Sequence, residues 1–95
     1  RKANEEIEGL LFRNILGRVA KTINELSRRG EKHGGGLLLS EHYTQQELAD
    51  LVGTTREPLT RAISALRRAQ LVEVVNERYF VRDPDKLNAL CLIEP

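Results

Sequence analysis

Several things are scarce in this 95-residue chain, and each scarcity excludes a class. There is one cysteine, Cys91, so no internal disulfide framework can form and secretion is unsupported. No run of about 18 apolar residues occurs, so no membrane span is expected, and no signal peptide is read at the front. Net charge is nearly absent: 15 basic against 14 acidic side chains, formally +1. Total charge therefore points to no partner. Only two histidines are present, His33 and His42, both read as loop residues without a helical i, i+4 partner. With Cys91 distant, no metal-ligand spacing emerges, no Ser/His/Asp set can be built, and no enzyme is expected. "GGG" at 34–36 is not followed by Gly-Lys-Ser/Thr and so is no phosphate loop. Methionine is absent altogether, and the front carries no capping signal, which suggests a fragment of a longer cytoplasmic protein.

What is present is charge asymmetry. "NEEIE" (4–8) is acidic, whereas 56–68 holds Arg56, Arg61, Arg67 and Arg68 against Glu57 alone. Local asymmetry of this kind can mark a nucleic-acid footprint.

Residues 1–9 read as the tail of a helix. Gly9 and the apolar 10–12 then suggest a hinge. From about Asn14, Ile15, Val19, Ile23 and Leu26 line one helical face, with Arg13, Arg18, Lys21, Glu25 and Arg28 largely away from it. Gly30 suits a left-handed helix cap. "GEKHGGG" (30–36) reads as a flexible loop and "LLLS" (37–40) as a brief strand.

Thr44 and Glu47 fit a capping box, opening a helix over about 45–52 with Leu48, Leu51 and Val52 on its buried side. Gly53 ends it, and Ala49 is small where two helices must approach. The next helix runs over about 56–69, its apolar set being Leu59, Ala62, Ile63 and Leu66. With Thr55 as its cap, Pro58 is the third helical residue, whose amide has no partner inside the helix. "LVEVV" (71–75) and "RYFVR" (78–82) flank Asn76-Glu77 and predict a β-hairpin of open turn type. Asp83-Pro84 starts a last helix with Leu87, Leu90 and Cys91 on its apolar side.

Two short helices joined by a glycine turn make a helix-turn-helix, and a following hairpin makes it winged. The expected fold is mainly α with a small β-hairpin: a three-helix core, a β-wing and an extra C-terminal helix. At roughly 100° per residue, the exposed first turn of the second helix offers Arg56, Glu57, Thr60 and Arg61. Recognition helices read bases near their N-terminal end. Arginine matches guanine O6 and N7, and glutamate accepts from cytosine N4. Thr60 and Arg78, the latter near the wing tip, are candidate phosphate contacts.

"TQQELADLVGTTREPLTRAISALRRAQLVEV" resembles the C-terminal domain of the cyclic-AMP receptor protein and fumarate–nitrate regulator (CRP/FNR) family. Thr44, Gln46, Glu47, Leu48, Ala49, Val52, Gly53, Arg56, Glu57, Arg61 and Leu66 carry the resemblance, and Arg-Glu-x-x-x-Arg is its most specific part. "LLFRNILGRVAKTI" is similar to the segment joining that family's dimerisation helix to its DNA-binding domain.

The resemblance implies a winged helix of a bacterial transcription regulator, bound as a homodimer to double-stranded promoter DNA. RNA polymerase is a further candidate partner. Arg56, Glu57 and Arg61 would read bases, while Thr44, Gln46 and Thr55 would anchor phosphates. It also implies a division into 1–13, the end of a dimerisation helix and hinge, and 14–95, the DNA-binding domain. The N-terminal effector-binding domain would be missing, no cofactor is expected in this fragment, and the effector stays unnamed. Pro58 departs from the family, standing where a hydroxyl residue often touches phosphate. Val75 and Glu77 stand where some relatives have polar or basic wing residues. Two rivals remain: a winged helix for protein–protein contact, whose exposed face should be apolar, and another ligand-sensing winged-helix repressor.

Overall fold

The computed structural model describes the backbone of residues 2–91 and the side chains from Leu11 to Cys91. In chain order the elements are α1 (Lys2–Arg28), β1 (Glu31–His33), β2 (Gly36–Leu38), α2 (Gln45–Val52), α3 (Arg56–Arg68), β3 (Val72–Val75), β4 (Arg78–Val81) and α4 (Pro84–Cys91). The four strands form one antiparallel sheet in the order β1-β2-β4-β3.

α1 is the spine, against which α2, α3 and α4 pack. Its Val19, Ala20 and Ile23 are wholly buried. They meet Leu48, Ala49 and Val52 of α2, Leu59, Ala62, Ile63 and Leu66 of α3, and Leu87 of α4 in one core. Leu39, Val72, Tyr79 and Val81 close that core from the sheet side. Asn24 is buried too, and its amide nitrogen donates to Asn88 Oδ1 at 3.3 Å, tying α1 to α4. α4 opens as expected: Asp83 Oδ1 accepts from the amides of Asp85 (3.1 Å) and Lys86 (3.2 Å).

Four expectations need correction. First, α1 is a single helix through Gly9 and residues 10–12, with no break. A helical glycine costs only about 1 kcal/mol relative to alanine, and Phe12, Ile15 and Leu16 pack on the core just beyond it. Second, the loop 30–36 holds a strand, so the sheet is larger than one hairpin and His33 lies in β1. All three β1 residues are exposed, which leaves no alternation to read. Third, Leu51 is 56% exposed, because α2 packs through the 48, 49 and 52 face. Fourth, Gly30 does not take a left-handed conformation. Glycine fits there for a different reason: a Cβ would lie 1.9 Å from the Leu38 carbonyl oxygen.

The wing turn resolves the open turn type. Asn76 (φ 51°) and Glu77 (φ 65°) are both left-handed, the signature of a type I′ hairpin.

Candidate nucleic-acid interface

The start of α2 is built by a reciprocal cap. Thr44 Oγ1 accepts from the Glu47 amide at 3.0 Å, and the Thr44 amide donates to Glu47 Oε1 at 2.8 Å. The Thr44 amide bond, then the Thr44 hydroxyl and the nearby His42, hold the Glu47 carboxyl below its ordinary range. Beside it Gln46 is exposed and donates to Asp50 Oδ1 at 3.0 Å, one turn along.

α2 ends at Gly53, whose φ of 85° and ψ of 39° are left-handed. The amides of Gly53 and Thr54 both donate to the Ala49 carbonyl at 2.9 Å, which closes the turn. Arg18 of α1 reaches this turn: its Nη2 donates to the Val52 carbonyl at 2.6 Å and to that of Gly53 at 3.3 Å. Nothing in the apolar periodicity points to Arg18, which lies off the packed face; the tie is a tertiary feature.

α3 begins after Thr55, an extended residue (φ −96°, ψ 170°) whose hydroxyl makes no capping bond. The first intrahelical bond runs from Leu59 to the Thr55 carbonyl (3.3 Å), so Pro58 removes none. Pro58 is half-buried and lines a cleft with Leu11, Phe12, Ile15 and Arg61, so its ring also serves as apolar surface toward α1.

Arg56, Glu57 and Arg61 all stand exposed on the first turns of α3. The ion pairs among the described residues, Arg78–Glu31 and Arg82–Glu73, involve none of them. The Arg61 guanidinium lies over the Phe12 ring, 5.8 Å from its centroid. Arg67 and Arg68 occupy the last turn, where cations suit the helix's negative pole.

Thr60 and Arg78 differ from expectation. Thr60 is half-buried, and its hydroxyl donates to Gln45 Oε1 at 2.6 Å, because position 60 falls at the edge of the face toward α2. Arg78 Nη1 is shared among the Leu39 carbonyl (3.2 Å), the Ser40 carbonyl (3.3 Å) and Glu31 Oε1 (3.0 Å). Register places Arg78 opposite Val75 with its side chain turned toward the segment before α2. On that segment His42 Nδ1 donates to the Glu77 carbonyl at 2.6 Å, so the wing is tied down twice.

Among the described residues no group of three His, Cys, Asp or Glu is placed to hold a metal ion. No described helix is long and apolar enough to cross a membrane. Cys91 is half-buried, and desolvation pushes its thiol up, away from the reactive thiolate.

The arrangement is thus a capped helix, a left-handed turn and a second helix with an exposed cationic front, beside a pinned hairpin. Known proteins share it. The family model for the Crp-like helix-turn-helix domain matches residues 17–90. A CRP-like cAMP-activated global transcriptional regulator of Mycobacterium tuberculosis is 31% identical over 88 residues, covering 92% of this chain and 39% of that protein. The cAMP-activated global transcriptional regulator Vfr of Pseudomonas aeruginosa is 32% identical over 76 residues, covering 78% of this chain and 35% of its own length. Among solved structures, the Thermus thermophilus catabolite activator protein superposes with a TM-score of 0.78 at 30% identity, over 96% of this chain and 40% of that one. This chain therefore spans well under half the length of these relatives. It belongs to the Crp-like helix-turn-helix domain family, whose members are DNA-binding transcription regulators and not enzymes.

Proposed function

We propose that this chain is the sequence-reading module of a bacterial transcription regulator and sets α3 into the major groove of promoter DNA. The observation that carries the reading is the exposed front of α3. Arg56, Glu57 and Arg61 project there without ion-pair partners among the described residues, on a helix fixed through the Gly53 turn. Arginine forks suit guanine edges and glutamate suits cytosine N4, so these three are assigned to bases. Thr44, Gln46 and Thr55 sit at the two helix starts, where free amides and the helix dipole favour phosphate, and are assigned to the backbone. Thr60 and Arg78 are half-buried as well as bonded within the chain, unlike the exposed Thr44 and Gln46, and their proposed role is to shape the interface rather than to touch phosphate.

The polar, cationic character of the α3 front favours DNA over a protein partner, whose interface core would be depleted of charged residues. By analogy with the relatives, the whole protein is proposed to act as a cytoplasmic homodimer. Residues 1–13 would be the end of its dimerisation helix and 14–95 its DNA-binding unit. RNA polymerase is a proposed further partner. Cyclic AMP, which appears in the relatives' names, is the first effector to test on the full-length protein.

Selection of bound duplexes from a random pool by the full-length protein tests the reading. One enriched palindromic site is expected. Arg61→Ala should then cost about 1–3 kcal/mol per half-site and relax preference at one position in each. Equal losses on every duplex would sink the assignment of Arg61 to bases.

A further inference from the structure

The Phe12–Arg61 contact joins two elements that the helix-turn-helix alone does not join. Phe12 belongs to α1, is half-buried and packs on the core, so its ring is a fixed surface. Arg61 is exposed, and its guanidinium carbon lies 5.8 Å from the ring centroid, within cation–π range. Phe12 lines the clefts on both sides of Arg61, one with Pro58 and one with Thr60, Ser64 and Arg68.

A guanidinium is planar, and its five N–H donors lie in that plane. A guanidinium whose face lies on a ring spends none of those donors on that contact. An arginine held this way keeps its donor fork free and has less rotamer freedom left to give up on binding.

We propose that Phe12 is a positioning residue for base reading by Arg61: its ring holds the guanidinium plane so that the donor edge is set before DNA arrives. This rests on the assignment of Arg61 to bases given above. It places a determinant of sequence preference on α1, outside the helix-turn-helix.

The test uses the full chain, the preferred duplex and a duplex altered at the base pair that Arg61 reads. The quantity compared is the ratio of the two affinities, from which the folded, active fraction cancels. Phe12→Leu should lower affinity for the preferred duplex about three- to tenfold, as expected when a side chain set in place before binding becomes free to rotate, and shrink the ratio. Phe12→Tyr should preserve both. Replacing Phe12 by 3,4,5-trifluorophenylalanine keeps the shape but drains the ring's negative face, and should shrink the ratio as Leu does. In an Arg61→Ala background none of these changes should alter the ratio further.

An unchanged ratio with the fluorinated ring, while Arg61→Ala abolishes preference, overturns the role of Phe12 and leaves Arg61 as reader. That role is overturned in the same way if the Phe12 effect persists undiminished in the Arg61→Ala background. If Arg61→Ala itself leaves preference intact, both the reader assignment and the role of Phe12 fail.

Discussion

Arg18 Nη2 lies 2.6 Å from the Val52 carbonyl oxygen, so a cation of α1 closes the C-terminal end of α2 at the turn leading into α3. The last carbonyls of a helix have no intrahelical partner, and a guanidinium there satisfies them and complements the dipole. Arg18→Ala is expected to destabilise the fold by about 1–2 kcal/mol, at the lower end for a bond to a charged donor because Arg18 is exposed. Urea unfolding checks this. An unchanged midpoint would show that water replaces the guanidinium without cost.

Gly53 is coupled to the same contact. Its φ of 85° suits glycine, and an added Cβ would meet Arg18 Nη2 at 3.0 Å. Gly53→Ala should cost about 1–2 kcal/mol from the left-handed backbone alone, plus a steric part that disappears when Arg18 is removed. The double variant should therefore lose less than the sum of the single losses, read by the same unfolding experiment. Strict additivity would mean that the arginine simply swings aside.

The helix-turn-helix was legible because its signals are local. Thr44 with Glu47 marks the start of α2, Gly53 its end, and Leu59, Ala62, Ile63 and Leu66 the buried face of α3. Features set by tertiary packing were not legible. β1 is wholly exposed and pairs only because β2 continues the sheet from β4, so "GEKHGGG" reads as a loop. Gly9 resembles a hinge, yet packing just beyond it keeps α1 unbroken. Leu51 looks like core by type but sits about 100° from the centre of α2's packed face. At the candidate interface, the exposed positions of Arg56, Glu57 and Arg61 followed from the helical wheel. The partners of Thr60, Arg78, Arg61 and Arg18 all lie far away in sequence, and no local spacing encodes them.

The capping box gives α2 a pH signature. The Thr44 amide and hydroxyl lower the Glu47 pKa in the folded state. A depressed folded pKa contributes stability that is fully present above the unfolded value. That contribution is lost as pH falls through the folded value. Stability should therefore decline as pH drops below about 4.3, the usual glutamate value, in excess of the decline of a Glu47→Gln variant. Glutamine preserves the cap geometry but does not titrate. Parallel pH profiles for the two proteins would mean that the carboxylate bond is not maintained in solution. Thr44→Ala removes the other half of the box and should cost about 1 kcal/mol at neutral pH.

Arg78 separates two roles for the wing. Its Nη1 holds the carbonyls of Leu39 and Ser40 and the carboxylate of Glu31, so it ties β4 to the segment that leads into α2. If anchoring is its work, Arg78→Met should destabilise the fold by about 1–2 kcal/mol, because the carbonyl of the buried Leu39 and that of the exposed Ser40 lose a charged donor. Little of that comes from the exposed Glu31 pair, so Glu31→Gln should cost under about 1 kcal/mol. The dependence of DNA affinity on salt should then match the unaltered protein for both variants. A phosphate contact made through Nη2 predicts a different pattern: the slope of log affinity against log salt falls by about 1 in Arg78→Met. Glu31→Gln, which frees part of the guanidinium, would then leave binding equal or stronger. Measuring unfolding and salt slope on the same two variants distinguishes an anchor from a clamp, and the three bonds on Nη1 place the expectation on the anchor.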